Sequence, residues 1–163
     1  MHKPLPLTSN RSAQERTALR LEYPSLVLTG WRDRYCGVVL MDGMMTAATA
    51  AAPLAGTAAW LARCDLPGHV LIAEGAAMAL DPVELADIES AVLQRYPALL
   101  VPKAIVVHAE ALPFWQTYAR AMAERGHWRA AFGDLPTAIE RTVDMFGAFE
   151  EMAERRRRER AGR

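Results

Sequence analysis

The sequence predicts an α/β fold: a mixed, largely parallel β-sheet of about five strands, with one N-terminal antiparallel hairpin and four helices. Short, continuously apolar segments at residues 69–73 and 104–107 are typical of strands covered on both faces. Segments of helical periodicity alternate with them, as in βαβ units. A chain of 163 residues, 52% of them hydrophobic, suffices for one core, so we expect a single domain without internal repeats.

The hairpin comes first along the chain. Residues 26–28 and 35–41 are strand-like, and residues 32–34 between them are typical of a turn. Gly43 is expected to end the second strand. These features predict an antiparallel pair at one side of the sheet.

The first helix is predicted between residues 46 and 63, with Thr46 as its candidate cap. Pro53 leaves two interpretations open, because a proline inside a helix removes one backbone hydrogen bond. The helix is either kinked at Pro53 or begins there. A breaker at residues 66–68 separates it from the strand at residues 69–73.

The later helices have clearer boundaries. Asp81, which precedes a proline, is a typical helix start. The apolar stripe of that helix comprises Val83, Leu85, Ile88, Val92 and Leu93. Residues 113–125 form the next predicted helix, which Gly126 ends. A short strand at residues 128–132 follows, and Asp134 is expected to cap a long last helix.

The charge balance gives no general attraction to polyanions. The 19 basic and 19 acidic residues leave a formal net charge of zero, so nothing draws the whole protein to nucleic acid or to an anionic membrane. Residues 1–20 lack the apolar stretch of a signal peptide, and no apolar run is long enough for a membrane span. Cys36 and Cys64 have no metal-binding or redox spacing. We therefore expect a cytoplasmic protein with free thiols, without a metal or another cofactor.

Four segments carry a likeness to a known family. They are residues 38–46, with Gly43 before the threonine that opens a helix; residues 69–74, a strand ending in an acidic residue; residues 103–107; and residues 126–134 with Ala138. Together they resemble the STAS/SpoIIAA-like group, the fold of bacterial anti-sigma-factor antagonists. The resemblance implies a non-enzymatic, regulatory role through protein binding, and no catalytic motif occurs in the sequence.

The resemblance also implies a division of the chain. Residues 1–22 are expected to be a flexible lead-in, residues 23–145 the STAS/SpoIIAA-like domain, and residues 146–163 a helical extension with a basic end. One feature departs from the family. Regulated antagonists carry a phosphorylated serine in the loop that here spans residues 75–81, which has no hydroxyl side chain. Asp81 stands at the cap position and either imitates a permanent negative charge or, as we favour, only caps the helix.

Polar side chains follow several predicted strands and form the first candidate site. Asp42, Glu74, His108 and Glu110 fall at or just past strand ends, and ligands of open parallel sheets bind outside the carboxyl ends of the strands. A His/carboxylate cluster there would suit acid–base chemistry or a metal. The competing interpretation, which we favour, is ordinary solvated loop residues.

The aromatic residues of the third helix form the second candidate site. Phe114 and Tyr118 share one helical face, whereas Trp115 points about 100° away. Core packing is the favoured interpretation. The alternative places Trp115 or Tyr118 at a partner surface, or in a small-molecule or lipid groove between sheet and helices.

The last helix predicts a protein partner. Its apolar stripe continues through Phe146, Phe149 and Met152, past what a small sheet needs for cover, and this favours a homodimer. Residues 154–160 are rich in arginine but interrupted by glutamate. A solvated helix end explains this basic run better than a nucleic-acid contact does.

Overall fold

The β-sheet of the computed structural model contains five strands in the order in which they occur in the sequence. The structure describes residues 20–28, 35–64, 66, 68–96 and 102–162. Its strands are β1 (Arg20–Leu28), β2 (Tyr35–Thr46), β3 (His69–Ala79), β4 (Lys103–Val106) and β5 (Arg129–Phe132). The pair β1–β2 is antiparallel and the following three pairs are parallel, so the predicted sheet and hairpin are confirmed.

In the part of the chain that the structure describes, four helices cover this sheet, as predicted. They are α1 (Ala51–Cys64), α2 (Pro82–Leu93), α3 (Leu112–Glu124) and α4 (Leu135–Ala161), and a short 3₁₀ turn, Ala109–Ala111, precedes α3. The helices α1, α2 and α3 connect successive parallel strands, and each crossover moves in the same direction across the sheet. Because such crossovers share one handedness, these three helices lie together on one face. The helix α4 covers the other face.

The alternation of side chains along the strands divides the core into two layers. Leu71 and Ile105 face α1, α2 and α3, whereas Val70, Ala104 and Val106 face α4. The strand β4 is buried along its whole length, which explains why its sequence lacks the polar alternation of a half-exposed strand. Both cysteines are free thiols: Cys36 is buried and Cys64 is exposed.

The helix boundaries follow the predicted capping residues. Oδ1 of Asp81 accepts a hydrogen bond of 2.8 Å from the backbone N–H of Val83, and Oδ1 of Asp134 accepts one of 2.8 Å from that of Thr137. Gly126, just after α3, has a φ of +83°, a conformation that glycine adopts without strain. None of the described helices is long and apolar enough to cross a membrane.

Three sequence predictions about the first half of the chain need correction. Gly43 does not end β2; it has a φ of +91° within the strand, which continues to Thr46. Thr46 therefore ends a strand instead of capping a helix. The helix α1 starts at Ala51, and Pro53 stands in its first turn, where a missing N–H costs no helical hydrogen bond.

The start of the sheet also differs from the prediction. Residues 20–22, expected in the lead-in, belong to β1, because Arg20 pairs with Asp42 and Glu22 with Leu40. The pairing shifts by one residue between Glu22 and Ser25, and Pro24 lies in this bulge, where its missing N–H is tolerated. The predicted turn at residues 32–34 and the lead-in before residue 20 lie outside the described residues.

Candidate binding site

Two of the four polar residues predicted at strand ends lie inside strands, because β2 continues beyond Asp42 to Thr46 and β3 continues beyond Glu74 to Ala79. Asp42 on β2 pairs with Gly75 of β3, the residue after Glu74, so the two acidic residues lie on neighbouring strands. Oδ1 of Asp42 accepts a hydrogen bond of 2.9 Å from the backbone N–H of Gly43. His108 and Glu110 follow β4 and are exposed. In the part of the chain that the structure describes, no three His, Cys, Asp or Glu side chains form a group suited to a metal ion.

The other predicted candidates have structural surroundings. Asp81 is exposed, and its carboxylate accepts hydrogen bonds from the backbone of the first turn of α2. Trp115 and Tyr118 are buried in the core, with ring centroids 5.4 Å apart in an edge-to-face arrangement. Phe114 packs edge-to-face against Trp115 in the same way, at 5.3 Å. The aromatic residues of α3 are therefore part of the hydrophobic core.

A buried cluster of charges lies at the opposite edge of the sheet, where the parallel strands begin. Lys103 and Arg129 are the first residues of β4 and β5 and pair with each other across the sheet. His69, the first residue of β3, pairs with Lys103 on its other side. Glu89 reaches this row from α2, and all four side chains are buried. Charged residues are rarely buried unless they are paired, so this cluster stands out from the rest of the core.

The carboxylate of Glu89 holds the cluster together. Oε1 of Glu89 accepts a hydrogen bond of 2.7 Å from Nζ of Lys103 and a longer one of 3.4 Å from Nη2 of Arg129. Oε2 accepts a hydrogen bond from the hydroxyl of Tyr118. Nζ of Lys103 also lies 5.1 Å from the centroid of the Tyr118 ring, a cation–π distance. One negative charge is thus shared by two cations and a phenol.

The protonation states follow from this geometry. Burial alone would raise the pKa of Glu89, but the charges of Lys103 and Arg129 and the hydrogen bonds from Lys103 and Tyr118 outweigh it and hold that pKa below its usual range. Burial lowers the pKa of Lys103 to about 8, against the attraction of Glu89. At neutral pH the cluster therefore contains one carboxylate and two cations.

His69 is neutral in this setting. Burial, followed by the charges of Lys103 and Arg129, lowers its pKa well below the usual range for histidine. Its Nδ1 atom is buried and has no hydrogen-bond partner among the described residues. Buried polar atoms are nearly always satisfied, so this ring nitrogen beside charged groups is a candidate contact for a ligand.

A cavity of about 30 Å³ begins at this cluster. His69, Glu89, Lys103 and Arg129 line its polar end. The remaining walls are mostly apolar and come from β1 to β3, α1 and α2, including Leu21, Met41, Leu54, Leu61, Leu71 and Leu93. One water molecule needs roughly 10–15 Å³ of such space, so a group of two or three non-hydrogen atoms fits.

The sequence contains one signal for this site that the predictions above do not use. Glu89 lies four residues after Leu85 and three before Val92, so it falls within the apolar stripe of α2. A carboxylate inside such a stripe must find buried cations, and Lys103 at the head of an apolar strand is one. His69 begins its strand at the edge opposite the expected site, and this position by itself favours a structural role.

Comparison with known proteins leaves the family open. No protein-family model matches the chain, and no curated protein or solved structure matches it either. The STAS/SpoIIAA-like resemblance is therefore carried by residues of this sequence alone, and membership of that group stays a proposal.

Proposed function

We propose that this chain is a non-catalytic, STAS/SpoIIAA-like domain that acts through protein binding, and that it forms a homodimer through α4. The observation that carries the proposal is the length of α4, which continues to Ala161 although Phe146 is its last buried residue. A helix of 27 residues spans about 40 Å, whereas the four-residue strand β4 spans about 13 Å. The second half of α4 therefore extends past the sheet that its first half covers.

The exposed half of α4 has the features of a self-pairing helix. Phe149 is half-buried and Met152 is 46% exposed, so the apolar stripe continues where the chain itself provides little cover. Isolated helical segments of this length are marginal in water, and packing against a partner stabilises them. Glu151 and Glu154 precede the basic run of residues 155–158. In an antiparallel pair, the acidic part of one copy would face the basic part of the other.

Light scattering at micromolar concentration tests the dimer. We expect the full chain to be a dimer and Met152→Glu to be a monomer, because a carboxylate in the paired stripe is desolvated without a partner. Val83→Glu is the matched control, since Val83 is 42% exposed on α2, and it should remain dimeric. A strictly monomeric wild-type chain would overturn the proposal.

The phosphorylation switch of regulated antagonists is not included in this proposal. Residues 75–79, which correspond to part of the switch loop in the resemblance, form the end of β3 here. Asp81 accepts backbone hydrogen bonds at the start of α2, which a helix cap requires in any case. We therefore propose protein binding that needs no phosphorylation at this position.

Small-molecule binding between sheet and helices is the second candidate function. The cavity at the buried charge cluster favours it, because His69 lines that cavity and its Nδ1 atom has no hydrogen-bond partner among the described residues. A volume of about 30 Å³ is far below the several hundred Å³ typical of sites for large ligands. The cavity therefore favours a small polar molecule over a lipid.

A further inference from the structure

We propose that the cavity at the start of β3, β4 and β5 captures a small aldehyde as a Schiff base on Nζ of Lys103, while His69 donates a hydrogen bond to the carbonyl oxygen. The inference rests on small-molecule binding, the second candidate function, and adds a covalent step to it. It assigns a modification site and the class of compound that the site takes.

Lys103 is an unusual basic residue in this chain. Of the 19 basic residues only Lys3 and Lys103 are lysines, and the others are arginines, whose guanidinium groups stay protonated. Lys103 is 3% exposed and lines the cavity. Because burial lowers its pKa to about 8, about half of this amine is unprotonated at that pH. The cavity therefore contains an amine that can act as a nucleophile.

The neighbours of Lys103 suit the formation of a Schiff base. Oε1 of Glu89 lies 2.7 Å from Nζ and orients the amine, and the hydroxyl of Tyr118 donates to the other oxygen of that carboxylate. His69 pairs with Lys103 on the neighbouring parallel strand, so both side chains project from the same face of the sheet. The Nδ1 atom of His69 is buried and has no hydrogen-bond partner among the described residues. A neutral imidazole that carries its proton on Nδ1 can polarise a carbonyl oxygen there.

The covalent step conserves both atoms and charge. The unprotonated amine of Lys103 attacks the carbonyl carbon, and the resulting carbinolamine takes up a proton and loses water to give an iminium ion. Overall, a C=N bond replaces the C=O bond, and two protons of the ammonium group leave with the carbonyl oxygen. The iminium nitrogen keeps one N–H and one positive charge, which is what the hydrogen bond to Glu89 requires. Capture therefore leaves the ion pair between Lys103 and Glu89 intact.

The cavity selects the kind of carbonyl compound. Its volume of about 30 Å³ fits two or three non-hydrogen atoms, which is the size of formaldehyde or acetaldehyde. The methyl group of acetaldehyde gains from contact with apolar walls that include Leu61, Leu71 and Leu93. Carbon dioxide is as small, but its carbamate would place a second negative charge beside Glu89. An aldehyde adds no such charge, so the cluster favours it.

The cavity has its entrance on the side of α1. The lining residues Leu21, Leu54 and Thr57 are only half-buried, so the cavity opens between β1 and the first half of α1. Ala58 also lines the cavity, and it is 3% exposed. A larger side chain at position 58 would therefore fill part of the space that the aldehyde needs.

Reductive trapping of the full chain tests the site. The probes are acetaldehyde and octanal, each with sodium cyanoborohydride at about pH 7, and mass spectrometry of the peptides identifies the modified residues. Hydride converts an iminium ion into a stable secondary amine, so each capture adds one alkyl group. We expect the ethylation rate of Lys103 to saturate at acetaldehyde concentrations where that of added N-acetyl-lysine is still proportional. Octanal should modify N-acetyl-lysine and leave Lys103 unmodified.

Variants separate capture in the cavity from reaction of unfolded chains. Ala58→Leu should lower the trapping rate at Lys103 on the order of tenfold or more, because the added atoms displace the aldehyde. If Lys103 reacted only on global unfolding, this overpacked variant would react faster instead. Ala62→Leu is the matched control, since Ala62 is exposed on the same helix and should leave the rate unchanged. A rate in Ala58→Leu that equals or exceeds that in Ala62→Leu would overturn capture in the cavity.

A second variant tests the hydrogen bond to the carbonyl oxygen. His69→Phe removes the donor and should lower the trapping rate on the order of tenfold. If Ala58→Leu fails to fold, His69→Phe and the comparison of acetaldehyde with octanal test the same site.

The outcomes separate the covalent step from small-molecule binding. Ethylation of Lys103 in proportion to acetaldehyde concentration, as for N-acetyl-lysine, would overturn the capture site. Saturable thermal stabilisation by acetaldehyde and by ethanol without any adduct would overturn the covalent step and leave small-molecule binding in place. No adduct and no saturable stabilisation by either compound would overturn both.

Discussion

The two edges of the parallel sheet carry polar residues of different character. At the edge where the strands end, His108 and Glu110 are exposed. At the edge where the strands begin, His69 and Lys103 are buried and electrostatically coupled. The general rule that ligands bind at carboxyl ends of strands pointed to the first edge. Burial and charge coupling identify the second edge as the stronger candidate, because solvent screens exposed charges and leaves buried ones dependent on their partners.

Removal of the shared carboxylate should have the largest effect. Glu89→Gln keeps the shape but leaves Lys103 and Arg129 buried without that negative charge, so we expect a loss of about 3–5 kcal/mol in the free energy of unfolding. Asp87→Asn on the same helix removes an exposed carboxylate that pairs with Arg125, and it should cost less than about 1 kcal/mol. Urea denaturation measures both, and equal losses would mean that the buried cluster does not differ energetically from a surface ion pair.

Glycines at the two edges give the next largest contrast. A Cβ at Gly68, directly before His69, would overlap Cε1 of the buried Phe146 ring, so Gly68→Ala should cost about 1–3 kcal/mol. Gly133 follows β5 at the other edge, and a Cβ there meets no atom within 4 Å. Gly133→Ala should therefore leave the urea midpoint nearly unchanged. A larger loss for Gly133→Ala than for Gly68→Ala would contradict the packing described at the two edges.

The pH dependence of stability should reveal Lys103. Because burial lowers its pKa from 10.5 to about 8, the unfolded chain binds this proton between those values while the folded chain does not. The Lys103 contribution to stability therefore rises with pH, by about 1 kcal/mol between pH 8 and pH 9. Burial raises the pKa of the Cys36 thiol from 9.0 to about 12, so this thiol begins to ionise in the unfolded chain within the same window and offsets part of the rise.

Lys103→Met is the control for this titration. The variant lacks the titrating group, so its free energy of unfolding should change less between these two pH values than that of the wild type. Denaturation curves of both proteins provide the comparison. Parallel pH profiles would show that Lys103 keeps an ordinary pKa in the folded protein.

The smallest effects are expected at the edge where the strands end. His108→Ala and Glu110→Ala remove exposed side chains, and each should change the free energy of unfolding by less than about 0.5 kcal/mol. A loss above about 1 kcal/mol in the free energy of unfolding of either variant would show that these side chains interact strongly with their neighbours. That result would contradict the difference described between the two edges.

Local signals explain how much of the fold could be predicted. Asp81 and Asp134 mark helix starts through their own side chains, and the apolar segment of β4 identifies a buried strand without any information about its neighbours. The second halves of β2 and β3 were missed. Residues 75–79 are mostly small and resemble a loop, and they form a strand only because they pair with residues 42–46. Such pairing is a tertiary interaction that composition does not indicate.

The buried cluster shows a similar limit. The sequence shows that Glu89 lies in the apolar stripe of α2. Its partners Lys103 and Arg129 come from the strands β4 and β5, which are 14 and 40 residues away in the sequence. Their meeting depends on the sequential strand order, which places the first residues of β3, β4 and β5 in one row. A sequence pattern indicates that a charge is buried, whereas the topology decides which charges it meets.

A titration of the Lys103 side chain by NMR tests the central claim most directly. We expect a Lys103 pKa of about 8, because burial disfavours the charged amine more than the attraction of Glu89 favours it, and the charge of Arg129 lowers the pKa further. A Lys103 pKa near the ordinary value of 10.5 in the folded protein would contradict the buried charge cluster.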